Sequence, residues 1–236
     1  MKIFAGMAAA VLTAFATFQL GAFDAHAAEA GETTRTAQAL FQEGVHYERL
    51  PTTQPTSSPA GTIEVTEFFM YTCPHCFNFE PHVSKWLESK PANVNFVRVP
   101  ASFNRLALLH AQAFYAAESL GVLEDVHEDF FREFHVKRNR MNSPKAVEDF
   151  FVAHGVDREE FKAAMSSFPV DAKLKRSGTL AQRYRVSSVP SVYVNGKYRT
   201  DASMAGDYPQ LLRVIDYLVS LESAERSAAT GPTSGN

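Results

Sequence analysis

Ile63-Glu64-Val65-Thr66-Glu67-Phe68-Phe69-Met70-Tyr71-Thr72-Cys73-Pro74-His75-Cys76 is the stretch whose reading decides the fold. Its first nine residues are β-branched and aromatic enough to form a buried strand. Beyond the cysteines, Phe77, Phe79, Val83, Trp86 and Leu87 supply one face of an amphipathic helix that ends near Lys90-Pro91. The two cysteines therefore fall where a strand hands over to a helix. There, unpaired backbone N–H groups and the helix dipole favour negative charge. A thiolate is such a charge, and it is the reactive form of cysteine. The chain has only these two cysteines, so its sulfur chemistry runs between them and points to redox.

Downstream, Val94-Asn95-Phe96-Val97-Arg98-Val99 reads as a second buried strand, completing a βαβ unit with parallel strands. From Asn104 to Tyr184 the pattern becomes helical. Ser143-Pro144 reads as an N-cap followed by proline at the first helical position, and Asp157 with Glu160 has capping-box spacing. A last helix of this section is expected over Val170–Tyr184. Strand character returns at Pro190–Val194, and Asn195-Gly196 is a strong hairpin signal before Lys197-Tyr198-Arg199. Asp207 then caps a final helix carrying Leu211, Leu212, Ile215, Leu218 and Leu221.

Upstream, Glu43–Leu50 reads as a short first strand and Pro51–Gly61 as a loop. Met1-Lys2, the apolar run Ile3–Phe23 and the small residues of Ala25-His26-Ala27 have the layout of a cleaved secretory signal peptide. Removing residues 1–27 takes away Lys2 and Asp24, which leaves the formal net charge at −3. That mild acidity argues against general nucleic-acid binding. Two cysteines are too few for a structural disulfide scaffold. An exported protein with one closely spaced pair is expected to carry a disulfide that works.

Cys73-Pro74-His75-Cys76 at a strand-to-helix junction, with Val189-Pro190 and Val194-Asn195-Gly196-Lys197-Tyr198, resembles the DsbA family of thiol:disulfide oxidoreductases. The resemblance spans about Gly44 to Leu221. It implies an α/β thioredoxin fold with an inserted all-helical subdomain. Residues 44–103 and 185–222 would form the thioredoxin part and 104–184 the insertion. Residues 28–43 would be a flexible lead-in and 223–236 a disordered tail. It further implies catalysis by Cys73 and Cys76, tuned by Pro74 and His75. Glu67, six residues before Cys73, matches a buried acid, and Arg98 matches a lysine that pairs with it. The peptide bond Val189–Pro190 would be cis, face the cysteines and bind extended substrate through its backbone. Pro81 departs from the family pattern and is more typical of thioredoxins, which bears on helix shape only.

By the same resemblance the protein is periplasmic and oxidises reduced, unfolded exported proteins as a monomer. A DsbB-like membrane quinone reductase would reoxidise it, with no cofactor besides the Cys73–Cys76 disulfide and no metal. The chemistry also follows without the family. Exchange needs an exposed thiolate and a second thiol within reach, and lowering the thiolate's pKa stabilises the reduced form, making the disulfide a stronger oxidant. A protonated His75 would favour the Cys73 thiolate.

Three alternatives have specific counts against them. Half a zinc site would need a second pair of ligands at recognisable spacing. Covalent haem attachment needs histidine where Phe77 stands. A non-enzymatic module would not require both cysteines. A disulfide isomerase or reductase of the same fold stays open, although isomerases of this kind dimerise through an N-terminal domain longer than Ala28–Glu43. His46, His110, His127, His135 and His154 read as ordinary surface or core residues.

Overall fold

The computed structural model describes residues 41–230. The expected signal peptide (1–27) and most of the expected flexible segment (28–43) lie outside them. The last residues of that segment are seated, contrary to expectation: Phe41 is buried, with its ring 5.5 Å from that of Tyr217. A turn at Gly44, closed by Gly44 N donating to the Tyr47 carbonyl at 2.8 Å, replaces the first half of the expected first strand. Only β1 (Glu48–Arg49) is left of it.

Five strands form one mixed sheet in the order β1-β5-β4-β2-β3, with β2 (Ile63–Phe69), β3 (Val94–Pro100), β4 (Ser191–Val194) and β5 (Tyr198–Thr200). β2 and β3 are parallel and joined by α1 (Pro74–Leu87), as the βαβ reading requires. Pro81 lies inside α1. β4 runs antiparallel to β2, and β4 and β5 form the expected hairpin. Asn195 and Gly196 take φ values of 50° and 65°, the left-handed pair that matches strand twist in a two-residue turn. A Cβ on Gly196 would meet the Gln54 carbonyl oxygen at 2.1 Å, so no larger residue fits.

Every residue of β2 is buried, because both sheet faces are covered. Ile63 and Val65 pack with Phe79 and Val83 of α1 and with Leu211, Ile215 and Leu218 of α8 (Tyr208–Thr230). Phe68, on the opposite face, packs with Tyr184 and Tyr193.

Five helices lie between β3 and β4: α2 (Arg105–Ser119), α3 (Leu123–His135), α4 (Pro144–Ala153), α5 (Arg158–Met165) and α6 (Phe168–Arg183). Ser143 and Asp157 cap their helices as read, Asp157 accepting from the amides of Glu159 and Glu160. α6 begins at Phe168, two residues earlier than expected, because Ser167 caps it. The helices close on an aromatic core of Phe114, Phe130, Phe131, Phe151 and Phe161. Phe69, Tyr71, Cys73 and Cys76 belong to that same core, which joins the helical section to the end of β2 without a break.

Asp201 caps a short helix the sequence reading does not anticipate, α7 (Ala202–Ala205). Asp207 caps α8 by accepting from Gln210 N at 2.7 Å. The expectation of a disordered tail from residue 223 is corrected: α8 continues to Thr230. Glu222 is buried and takes Lys197 at 2.9 Å and the Asn195 amide. One turn on, Glu225 reaches Lys197 at 2.9 Å and Arg226 reaches the Thr62 carbonyl at 2.6 Å. The hairpin and the residue before β2 hold those turns through charge-assisted bonds that hydrophobic periodicity does not report. Residues 231–236 lie outside the described part of the chain. Among the described residues, no helix is long and apolar enough to cross a membrane.

Candidate active site

β2 ends at Phe69, and a turn closed by Cys73 N donating to the Met70 carbonyl at 3.0 Å delivers Cys73 to the N-cap of α1. Pro74 takes the first helical position, where its fixed φ suits the helix and its missing N–H costs nothing. No side-chain hydrogen bond closes the start of α1, so its first amides remain open beside Cys73. Cys73 is 9% exposed, Cys76 1%, and both are free thiols, so the pair is in its reduced form.

The two sulfurs have opposite acidities. The Cys73 thiol is lowered to about 6, first by its hydrogen bond with the Cys76 thiol and against the upward push of burial. The backbone N–H groups of Cys76 and His75 add to the lowering, and the His75 charge contributes least of the named causes. Cys76 is driven far above the usual thiol range, by burial first and then by its bond to Cys73. One cysteine is thus a poised thiolate and the other a protonated thiol.

Val189–Pro190 is cis, and the Val189 carbonyl oxygen lies 3.4 Å from Cys73 Sγ. These two residues and His75, which is exposed, line a groove of about 510 Å³ together with Asp201, Ser203 and Tyr208. Cys73, Cys76, Pro74, His75, Val189 and Pro190 are therefore gathered in one place.

Glu67 is buried below them, with Oε2 lacking a hydrogen-bond partner. Its carboxyl is raised to about 8 by burial first, then by the charges of Glu80 and Cys73, with Arg98 opposing. Arg98 is the cross-strand neighbour of Glu67, but its hydrogen bond goes elsewhere: Nη2 donates to Glu80 Oε1 at 2.6 Å. The expected Arg98–Glu67 pair is corrected to Arg98–Glu80, because the long guanidinium side chain reaches across to the carboxylate that α1 presents. Against the upward push of burial, His127 and Arg98 hold Glu80 down to about 2.

Glu80, which the sequence reading does not single out, and two histidines that it reads as ordinary surface or core residues complete the surroundings of the pair. His127 Nε2 lies 3.4 Å from Glu80 Oε2, and its Nδ1 is 2.6 Å from the Tyr71 hydroxyl. His135 Nε2 is 2.8 Å from the Tyr71 carbonyl, and its ring stacks on Phe77 at 4.9 Å. Tyr71, two residues before Cys73, is thus gripped at both ends from α3. The available signal was the spacing of His127, Phe131 and His135, which repeats every four residues and marks one helical face.

A family model described as a DSBA-like thioredoxin domain matches residues 64–215. The chain belongs to this DsbA-like family. It is 40% identical over 184 residues to the thiol:disulfide interchange protein DsbA of Pseudomonas aeruginosa, covering 78% of this chain and 87% of that one. The DsbA of Burkholderia cepacia is 39% identical over 185 residues, with the same coverage. The crystal structure of Pseudomonas aeruginosa DsbA superposes with a TM-score of 0.76 at 40% identity, over 79% of this chain and 97% of that one. That of the oxidoreductase DsbA from Xylella fastidiosa gives 0.74 at 32% identity, over 78% and 99%. This DsbA-like protein is accordingly a thiol:disulfide oxidoreductase with a thioredoxin fold and a helical insertion, and its family works through a redox-active cysteine pair.

Proposed function

We propose that the oxidised protein donates its Cys73–Cys76 disulfide to reduced, unfolded exported proteins in the periplasm, with Cys73 as the sulfur that meets substrate. The opposed acidities of the two thiols carry this reading. A substrate thiolate attacks Cys73 Sγ, the Cys73–Cys76 bond breaks, and the Cys76 thiolate leaves and takes a proton. Glu67, protonated up to about pH 8, is the buried acid available to supply it. A second substrate thiolate then attacks the substrate sulfur of the mixed disulfide and expels Cys73 as a thiolate. The substrate dithiol has lost two electrons and the enzyme has become a dithiol. The Val189 carbonyl beside Cys73 and the adjoining groove suit an extended chain whose backbone hydrogen-bonds to the Val189–Pro190 edge. Arg98 acts on the pair indirectly, by opposing the rise of the Glu67 carboxyl.

In this reading the protein works as a monomer, residues 1–27 direct its export, and a DsbB-like membrane quinone reductase restores the disulfide. Mixing the purified oxidised protein with a reduced, unfolded multi-cysteine protein should oxidise one substrate dithiol per protein molecule, counted by thiol alkylation. A substrate left fully reduced would end the oxidase assignment.

His75→Ser tests the tuning. The ring is exposed, and its charge ranks behind the Cys76 thiol and the helix amides in lowering Cys73. The Cys73 pKa should rise by about half a unit, with an approximately threefold weaker oxidising equilibrium against glutathione. An unchanged thiolate titration would leave the tuning to the helix terminus and Cys76.

A further inference from the structure

Tyr208 is the first residue of α8, fixed by the Asp207 cap, and it reaches across to α1. Its hydroxyl donates to the His75 carbonyl oxygen at 3.1 Å. Its ring stacks on Phe79 at 5.4 Å with the planes 30° apart, and lies 5.5 Å from the ring of His82. The phenol is thus held by contacts that do not involve its hydroxyl, and the hydroxyl is aimed at one acceptor.

That acceptor matters because of what lies at the other end of the same peptide group. The His75 carbonyl and the Cys76 N–H belong to one planar trans unit, so they point in opposite directions. The Cys76 N–H is the third amide of α1, open at the start of the helix whose N-cap is Cys73, and it is one of the two amides that lower the Cys73 thiol. A hydrogen bond accepted by a peptide carbonyl polarises the group and makes its N–H a better donor. The result is a path from Tyr208 Oη–H to the His75 carbonyl, and through the same peptide to the open Cys76 N–H beside the Cys73 sulfur. The same bond also pins the peptide plane, and with it the direction of the N–H.

We propose that Tyr208 is a positioning residue for thiol–disulfide exchange, its hydroxyl orienting and polarising the His75–Cys76 peptide toward the Cys73 sulfur. The inference rests on the reading of Cys73 as the attacked sulfur. Tyr208 does not touch the reacting sulfurs and does not transfer a proton. Its own ionisation is pushed up by burial and then by the charges of Cys73 and Cys76, so the hydroxyl keeps the proton it donates. The groups that bear electrostatically on the Cys73 sulfur are His75 and Cys76 from α1, Glu67 from β2 and Tyr208 from α8, beside the uncharged Val189 carbonyl just before β4.

The experiment is thiolate absorbance against pH, paired with a glutathione redox titration, on the full protein and on Tyr208→Phe. The substitution removes the hydroxyl and keeps the ring on Phe79. The Cys73 pKa should rise by about half a unit and the oxidised variant should be about threefold weaker as an oxidant, roughly 14 mV for two electrons. A structural role alone would move the melting temperature and leave the thiolate titration where it was. An unchanged titration and equilibrium in Tyr208→Phe overturn the inference while leaving the oxidase reading intact. Cys73→Ser serves as the control for that reading: its absorbance step should vanish, and a step that survives there overturns both.

Discussion

Replacing Cys76 with alanine should abolish turnover and leave substrate covalently attached to Cys73. In reduced Cys76→Ala, Cys73 still lies at the α1 N-cap with the His75 amide available and the Val189 carbonyl beside it. It can therefore still exchange with a disulfide in an incoming protein. What it lacks is the buried thiol one helical turn away that would resolve the mixed disulfide. The Cys73 pKa should rise at the same time, because the Cys76 thiol is the largest cause of its depression. On non-reducing gels, Cys76→Ala mixed with disulfide-bearing substrate should give slow-migrating adducts that a reductant dissolves. Cys73→Ala should give none. Adducts that persist in Cys73→Ala and are missing from Cys76→Ala would reverse the assignment of the two sulfurs.

The second large effect is on stability. Glu67 titrates at about 8 in the folded protein against an ordinary 4.5, with burial as the first cause. Below about pH 4.5 the carboxyl is neutral in both folded and unfolded chains and contributes nothing. Between 4.5 and 8 the unfolded chain ionises while the folded protein keeps its proton, so the native state binds more protons and stability falls as pH rises. Above 8 the penalty is constant.

Glu67→Gln removes that slope. Its advantage over the parent should grow by on the order of 3 kcal/mol from pH 4.5 to pH 8. The buried amide carries its own hydrogen-bonding cost, but that cost does not depend on pH. The oxidised protein is the one to use in denaturant unfolding. In the reduced protein the Cys73 thiolate, at about 6 against an ordinary 9, adds stability that is complete above pH 9 and lost as pH falls through 6. That opposing slope would mask the Glu67 effect. Parallel pH–stability curves for the two oxidised proteins would mean that Glu67 is ionised in the fold at neutral pH.

The parts of this protein legible in its sequence are those whose cause is local. β2 is named by its own β-branched and aromatic residues, the hairpin by Asn195-Gly196, and α4, α5 and α8 by Ser143, Asp157 and Asp207 at their starts. The cysteine pair is legible for the same reason, since its chemistry follows from a strand-to-helix boundary. The misses depend on partners distant in the chain. Glu80 carries no local signal of its role, which depends on Arg98 and His127 closing on it. Residues 223–230 read as tail until Lys197 and the Thr62 carbonyl appear beside them. β1 is shorter than its residues suggest, because Gly44 turns the chain before the edge strand begins.

The helices placed between β3 and β4 also govern the order in which the chain can mature. Cys73 and the Val189 carbonyl that faces it are 116 positions apart, so synthesis exposes both thiols long before their neighbour exists. Closing a span of that length costs roughly 4 kcal/mol of chain entropy, paid before the central strand pairing returns anything. A helical section that folds on its own contacts shortens that span. Its aromatic core ends on Phe69 and Tyr71, so the same event encloses the cysteine end of β2. During biogenesis the nascent oxidant therefore passes through an interval in which its thiols are present without the groove wall that Val189 and Pro190 provide, and β4 arriving on β2 ends that interval.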